Sequence, residues 1–161
     1  MTKCTAQSFR QPNGPAASIG RCLAVAALLL CNAAAAATTA GISVDKPWMR
    51  LIIRTRPAAG YFTLHNDTGA PITLVGASAS ACGMTMLHQT KEVNGVEEML
   101  PVKSIAVPAH GTLSFAPGGY HIMCMSPGAA IAIGKKVPIT LNFADGKTVT
   151  AQFTVQGPGG K

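Results

Sequence analysis

The chain has 161 residues, room for one domain. Charged residues make up 12%, aromatics 5% and hydrophobic residues 48%, a balance that excludes collagen, coiled coil and charged disorder. The net charge is +7, but from Gly41 onward ten basic residues face six acidic ones, with no Lys/Arg stripe and no interleaved aromatics, so no nucleic-acid partner is expected.

Residues 1–40 read as an export signal. Arg21 precedes the apolar run CLAVAALLLCNAAAAA over residues 22–37, and small residues lead on to Gly41. That is a basic region, an apolar region and an A-x-A-like exit, with cleavage expected within Ala35–Ala40. A membrane anchor is the weaker reading, because the strongly apolar part falls short of the ~20 residues a bilayer span needs. Cys31 follows three leucines, and a bulky residue directly before it fits a lipid-attachment site poorly. Export implies an oxidising compartment outside the cytoplasm, where thiols pair. No membrane contact is expected beyond the signal.

Residues 41–155 read as one all-β domain, with a flexible tail over 156–161. No window shows a helical stripe. Short β-rich runs recur at 48–54, 59–65, 71–76, 84–90, 96–102, 104–107, 112–115, 120–125, 137–143 and 148–155. Turn signals separate them, among them Asn66-Asp67-Thr68-Gly69, Asn94-Gly95, Pro117-Gly118-Gly119 and Asp145-Gly146. Many short strands at this spacing predict a sandwich or barrel.

No enzyme signature is present: G-x-S-x-G, the P-loop, G-x-G-x-x-G and H-E-x-x-H are all missing, so a non-enzymatic role is expected. Glu97 and Glu98 are adjacent and would point to opposite faces of a strand. The unusual feature is the distribution of sulfur and imidazole. Five Met and three His fall between residues 84 and 125.

Met84, Met86 and His88 stand at i, i+2, i+4 and would share one face of a strand. Asn94-Gly95 predicts a two-residue type I′ turn. That register pairs Val93 with Val96, Thr90 with Met99 and His88 with Pro101, which puts Met99 on the His88 face as its diagonal neighbour. His121, Met123 and Met125 share a face of a later strand. Imidazoles and thioethers without carboxylates select a soft ion, and thioethers favour Cu(I) over Zn(II), Mg(II) or Ca(II). Neutral donors need no deprotonation and hold Cu(I) loosely enough to hand it on.

The spacing His88, Met99, His121, Met123 resembles the H-x10-M-x21-H-x-M signature of the periplasmic copper chaperone family PCu(A)C. The flanks are similar too: Lys46-Pro47-Trp48-Met49-Arg50, Gly60-Tyr61-Phe62-Thr63-Leu64 before Asn66, and Pro117-Gly118-Gly119-Tyr120-His121-Ile122-Met123. The resemblance runs from about Ile42 to Val155. It implies a cupredoxin-like Greek-key β-sandwich that binds one Cu(I) through His88, Met99, His121 and Met123. It also implies copper delivery to the Cu(A) centre of cytochrome c oxidase. The acceptor would be subunit II of that oxidase or another periplasmic copper chaperone, and the protein would act as a monomer. Some members carry a His/Met-rich C-terminal tail; residues 156–161 here read QGPGGK, so a second copper bound by such a tail is not expected.

Met84, Met86 and Met125 read either as packing residues or as auxiliary groups beside the ligands. His65 and His110, beside turn signals, read as solvated loop residues, and Trp48 and Tyr120 as packing. Arg50, Arg54 and Arg56 form a local positive patch. Cys82 and Cys124 read first as a disulfide. Free thiols and copper ligation are the alternatives, with Gly83 a candidate bulge that would reset the face of Cys82. Competing functional readings are copper storage or resistance at the same site, a blue-copper electron carrier, and a metal-free interaction sandwich. Blue-copper sites run Cys, His, Met along their C-terminal ligand loop, whereas here the order is His121, Met123, Cys124.

Overall fold

A computed structural model describes residues 37–160 of the chain. The expected signal peptide, residues 1–40, lies almost wholly outside them. Eleven strands run in order: β1 (Ala37–Thr39), β2 (Ile42–Arg50), β3 (Ala58–Asn66), β4 (Ile72–Ser78), β5 (Cys82–Val93), β6 (Val96–Pro101), β7 (Ile105–Val107), β8 (Gly111–Phe115), β9 (Tyr120–Pro127), β10 (Lys136–Phe143) and β11 (Thr148–Gln156). Among the described residues there is no helix.

The hydrogen-bonded order is β6-β5-β9-β8-β3-β2-β11-β10-β4-β7, with β1 on β2 and a further pairing of β9 with β3. Neighbours that are distant in sequence, such as β2–β11 and β10–β4, are the crossovers of a Greek-key sandwich. All pairs are antiparallel except β2–β11 and β8–β9. Alternation fills the interior: Val149, Ala151, Phe153 and Val155 of β11 face inward, as do Val137, Ile139, Leu141 and Phe143 of β10. Phe62 stacks on Phe115 at 4.3 Å and meets Phe153 edge-on at 5.7 Å. Fully burying one such ring contributes about 1.5–3 kcal/mol.

Ten predicted runs correspond to ten of the strands, with two adjustments. The run 48–54 is displaced. Its strand, β2, begins at Ile42 and ends at Arg50, after which Leu51 N–H bonds the Gln156 carbonyl and the chain turns. Ile52 and Ile53 looked like strand residues because they are β-branched, yet they are 58% and 52% exposed in a loop. β1 was not expected, since its residues fall in the segment read as the exit of the signal. It pairs with Ile42–Val44 through a tight turn at Ala40-Gly41.

Gln156, expected in the flexible tail, closes β11. The chain then turns through Gly157 and Gly160, with Gly160 lying beside the Trp48 ring. His65 is also not a loop residue: it sits inside β3, paired with Ser43 and Thr112. Asn66 is fully buried but satisfied. Its Nδ2 donates to the carbonyls of Ala70 and Pro108 at 2.9 and 2.8 Å, and its Oδ1 accepts from Thr68.

Candidate metal centre

Three adjacent strands, β6, β5 and β9, carry the four residues singled out by spacing. The β5–β6 hairpin turns at Asn94-Gly95 with φ of 53° and 79°, as a type I′ turn requires. Its register is the expected one: Val93 opposite Val96, Thr90 opposite Met99, His88 opposite Pro101. On the other flank β9 places His121 opposite His88, Met123 opposite Met86 and Met125 opposite Met84. Opposed residues share a face. His88 therefore has Met99 diagonally on one side, and His121 with Met123 on the other. The two imidazole rings meet edge-to-face with centroids 5.7 Å apart.

The turn before β9 orients His121. Ala116-Pro117-Gly118-Gly119 closes with Gly119 N–H on the Ala116 carbonyl at 2.9 Å, and Gly118 sits at φ 80°, the type II position that favours glycine. The Gly119 carbonyl then accepts from the backbone N–H of Thr90 and from His121 Nδ1, both at 3.1 Å. A carbonyl only accepts, so Nδ1 carries the proton and Nε2 presents its lone pair. His121 Nε2 is buried without a hydrogen-bond partner, and so are both ring nitrogens of His88. Burial lowers the pKa of His88, and the neighbouring His121 lowers it further, so the ring is held neutral. Each orphaned buried polar group costs about 1–3 kcal/mol. A ligand that accepts the lone pairs would recover part of that cost.

Beside the rings lies a cavity of about 160 Å³, lined among others by His121, Met123, Met99, Tyr61, Arg50 and Ile52. Met99 is 58% exposed, at the mouth side of the hairpin, whereas His121 is buried. Two of the lining residues, Tyr61 and Arg50, belong to a set of contacting side chains that spacing did not reveal. Lys46 at φ 49° and a register shift between Asp45 and Trp48 bring Trp48 opposite Tyr61. The Trp48 and Tyr61 rings lie 4.6 Å apart, and the Tyr61 and His121 rings 6.3 Å apart. Arg50 donates to the Tyr61 hydroxyl at 2.8 Å and lies over its ring. Burial raises the Tyr61 pKa, and the Arg50 charge and hydrogen bond oppose the rise. Tyr61 and Arg50 stood within the flanks of the signature; the β3–β9 pairing brings Tyr61 to His121, and the β2 irregularity sets Trp48 opposite Tyr61.

Cys82 and Cys124 are joined as a disulfide. Cys124 is buried on the core side of β9, opposite to His121 and Met123, and both sulfurs are engaged in the bridge. The predicted bulge at Gly83 is not there. The β5–β9 register stays in step across it, and the irregular residue is Ser126 opposite, at φ 48°. Among the described residues no three His, Cys, Asp or Glu side chains converge as a metal site. The groups that strand register sets on this one face are two imidazoles and thioethers, donor types suited to a soft cation and poorly suited to hard ones.

The fold and this face define a PCuAC-type β-sandwich domain. By structure the chain is similar to the apo PCuAC domain of PmoF2, with a TM-score of 0.63 at 21% identity over 77% of this chain and 96% of that one. It is similar also to the Cu(I) form of DR1885 from Deinococcus radiodurans, with a TM-score of 0.50 at 32% identity over 78% and 81% of the two chains. The sequence profile described as "Putative lipoprotein LpqE-like" matches residues 42–155, and the chain belongs to this LpqE-like family. A relative from Leifsonia xyli subsp. xyli, named "Putative lipoprotein Lxx21020", is 39% identical over 109 residues, 67% of this chain. The match spans 65% of that relative's own length.

Proposed function

We propose that the protein is an exported copper carrier, a binding protein rather than an enzyme, that holds one Cu(I) on His88, Met99, His121 and Met123. The observation that carries this reading is the set of orphaned nitrogens, His88 Nδ1 and Nε2 and His121 Nε2, buried on facing strands beside thioethers. A packed core would not leave three such atoms without partners. The Cu(I) form of DR1885 supports the choice of ion. The lipoprotein family description and the disulfide support export to an oxidising space, here the periplasm. Exposure of Met99 supports transfer, since a ligand at the mouth can be displaced first by an incoming donor. The acceptor in this reading is the Cu(A) centre of cytochrome c oxidase subunit II, or another periplasmic copper chaperone.

The test is an anaerobic Cu(I) titration of the full chain against a chromophoric chelator, with free thiols alkylated and the disulfide intact. A His88→Ala/Met123→Ala variant runs beside it. One tight equivalent in the wild type, lost in the variant, is expected. No competition by the wild type refutes the copper reading. Transfer of the ion from the loaded chain to an apo Cu(A) domain separates delivery from storage.

A further inference from the structure

The face shared by β5 and β9 continues beyond the imidazole pair. Along the same register Met86 stands opposite Met123, and Met84 opposite Met125. One pair of imidazoles is thus followed by two pairs of thioethers, all on one side of the two strands. The core side of the same strands is filled by Leu87, Ile122 and Cys124. Core packing, the ordinary role of a Met on a strand, does not describe these residues. Met84 is 53% exposed, and Met86 and Met125 are only half-buried. The hairpin strand β6 covers β5 only from His88 onward, so it leaves the Met84–Met86 stretch beside no part of itself.

We propose that Met84, Met86 and Met125 form a second, all-thioether site for a soft monovalent cation, Cu(I) or Ag(I), next to the His88–His121 pair. Directly opposed Cβ atoms lie about 4.5–5.5 Å apart, which is the gap between Met84 and Met125. Met86 stands one step of roughly 6.6 Å along β5. Each Met has three rotatable bonds, so three sulfurs can turn to one point between the strands. Three neutral thioethers match a soft, weakly hydrated cation and give it no preference over solvent for a hard one. Met123 lies between this cluster and His121 on β9. An ion leaving Met125 exchanges one thioether for the next, with no change of oxidation state and no proton released. The outer cluster is thereby a loading position for the inner one. It stands on its own donors and does not require the inner site to bind.

The test uses the full chain labelled with methyl-13C methionine, free thiols alkylated and the disulfide intact, titrated with Ag(I) under NMR observation. The expected result is saturation at two equivalents, one of them shifting the methyl signals of Met84, Met86 and Met125. The Met84→Leu/Met86→Leu/Met125→Leu variant should take one equivalent and keep the shifts of Met99 and Met123. Unmoved Met84, Met86 and Met125 signals in the wild type overturn the proposal, as do shifts that fail to saturate by two equivalents, or two equivalents retained in the triple variant. A His88→Ala/His121→Ala variant keeps the two sites apart. If it retains the outer shifts the thioether site stands, whatever becomes of the copper-carrier reading. If it loses them the thioether site falls as an independent position.

Discussion

Replacing His88 by Leu should make the metal-free protein more stable while abolishing its tight Cu(I) equivalent. Both ring nitrogens of His88 are buried without partners. At the low end of about 1–3 kcal/mol per unsatisfied group, the ring carries roughly 2 kcal/mol of uncompensated desolvation. The edge-to-face contact with His121 at 5.7 Å would be lost, at a cost of about 0.5–1.5 kcal/mol. The net gain expected is about 1 kcal/mol near pH 7.5. It should widen on acidification. The folded-state pKa of His88 is lowered, so below an ordinary value of about 6.5 the unfolded chain takes up the proton first. Wild-type stability therefore falls as the pH drops from about 7 toward the lowered folded pKa, and the Leu variant lacks that contribution. The assay is urea denaturation of both proteins at pH 7.5 and 5.5, with a Cu(I) chelator present. A variant less stable than wild type at pH 7.5, or an advantage independent of pH, would show that the imidazole is satisfied in the fold and refute the reasoning.

Further outcomes follow from the same geometry. Cys82→Ser/Cys124→Ser opens a loop with a sequence separation of 42 and should cost about 4 kcal/mol in urea denaturation, with the Cu(I) equivalent retained, because the bridge lies on the core side of β9. Loss of the tight equivalent in that variant at concentrations where it remains folded would place a cysteine in the site. Gly118→Val forces a β-branched side chain to φ 80° and should cost about 1–2 kcal/mol. It should also weaken Cu(I) binding by shifting the Gly119 carbonyl that holds His121 Nδ1; unchanged chelator competition would detach that turn from the site. Tyr61→Phe removes the acceptor of the 2.8 Å Arg50 bond and should lower the unfolding free energy in urea denaturation by about 1 kcal/mol with one Cu(I) equivalent kept. A lost equivalent would mean that the hydroxyl itself reaches the ion.

Much of this site is local and therefore legible in the chain. Strand alternation sets which residues share a face, so Met84, Met86 and His88 were grouped correctly by counting twos, as were His121, Met123 and Met125. Asn94-Gly95 specifies the turn, the turn specifies the register, and the register places Met99 diagonal to His88. The LpqE-like family match over residues 42–155 agrees with the extent read from the flanking motifs. Local pattern misled where hydrophobicity was taken for strand. Ile52 lines the cavity from a loop, and Ile53 beside it is exposed. His65 neighbours a turn signal and still pairs on both sides within β3.

Tertiary structure alone decided what periodicity cannot carry. The pairing of β5 with β9 joins residues more than thirty positions apart, and no local rule fixes its register. That register puts His88 opposite His121 rather than one step away, and a one-residue slip would send every donor of β9 to the core. Burial of three imidazole nitrogens, exposure of Met84 and Met99, and the approach of Tyr61 to His121 through the pairing of β3 with β9 depend on how strands distant in the chain are brought together. The sequence by itself determined which donors exist and which way each points from its own strand, because the side-chain period of a strand is two. Only the fold decided which strands lie side by side, because cross-strand distance is set by the whole sheet.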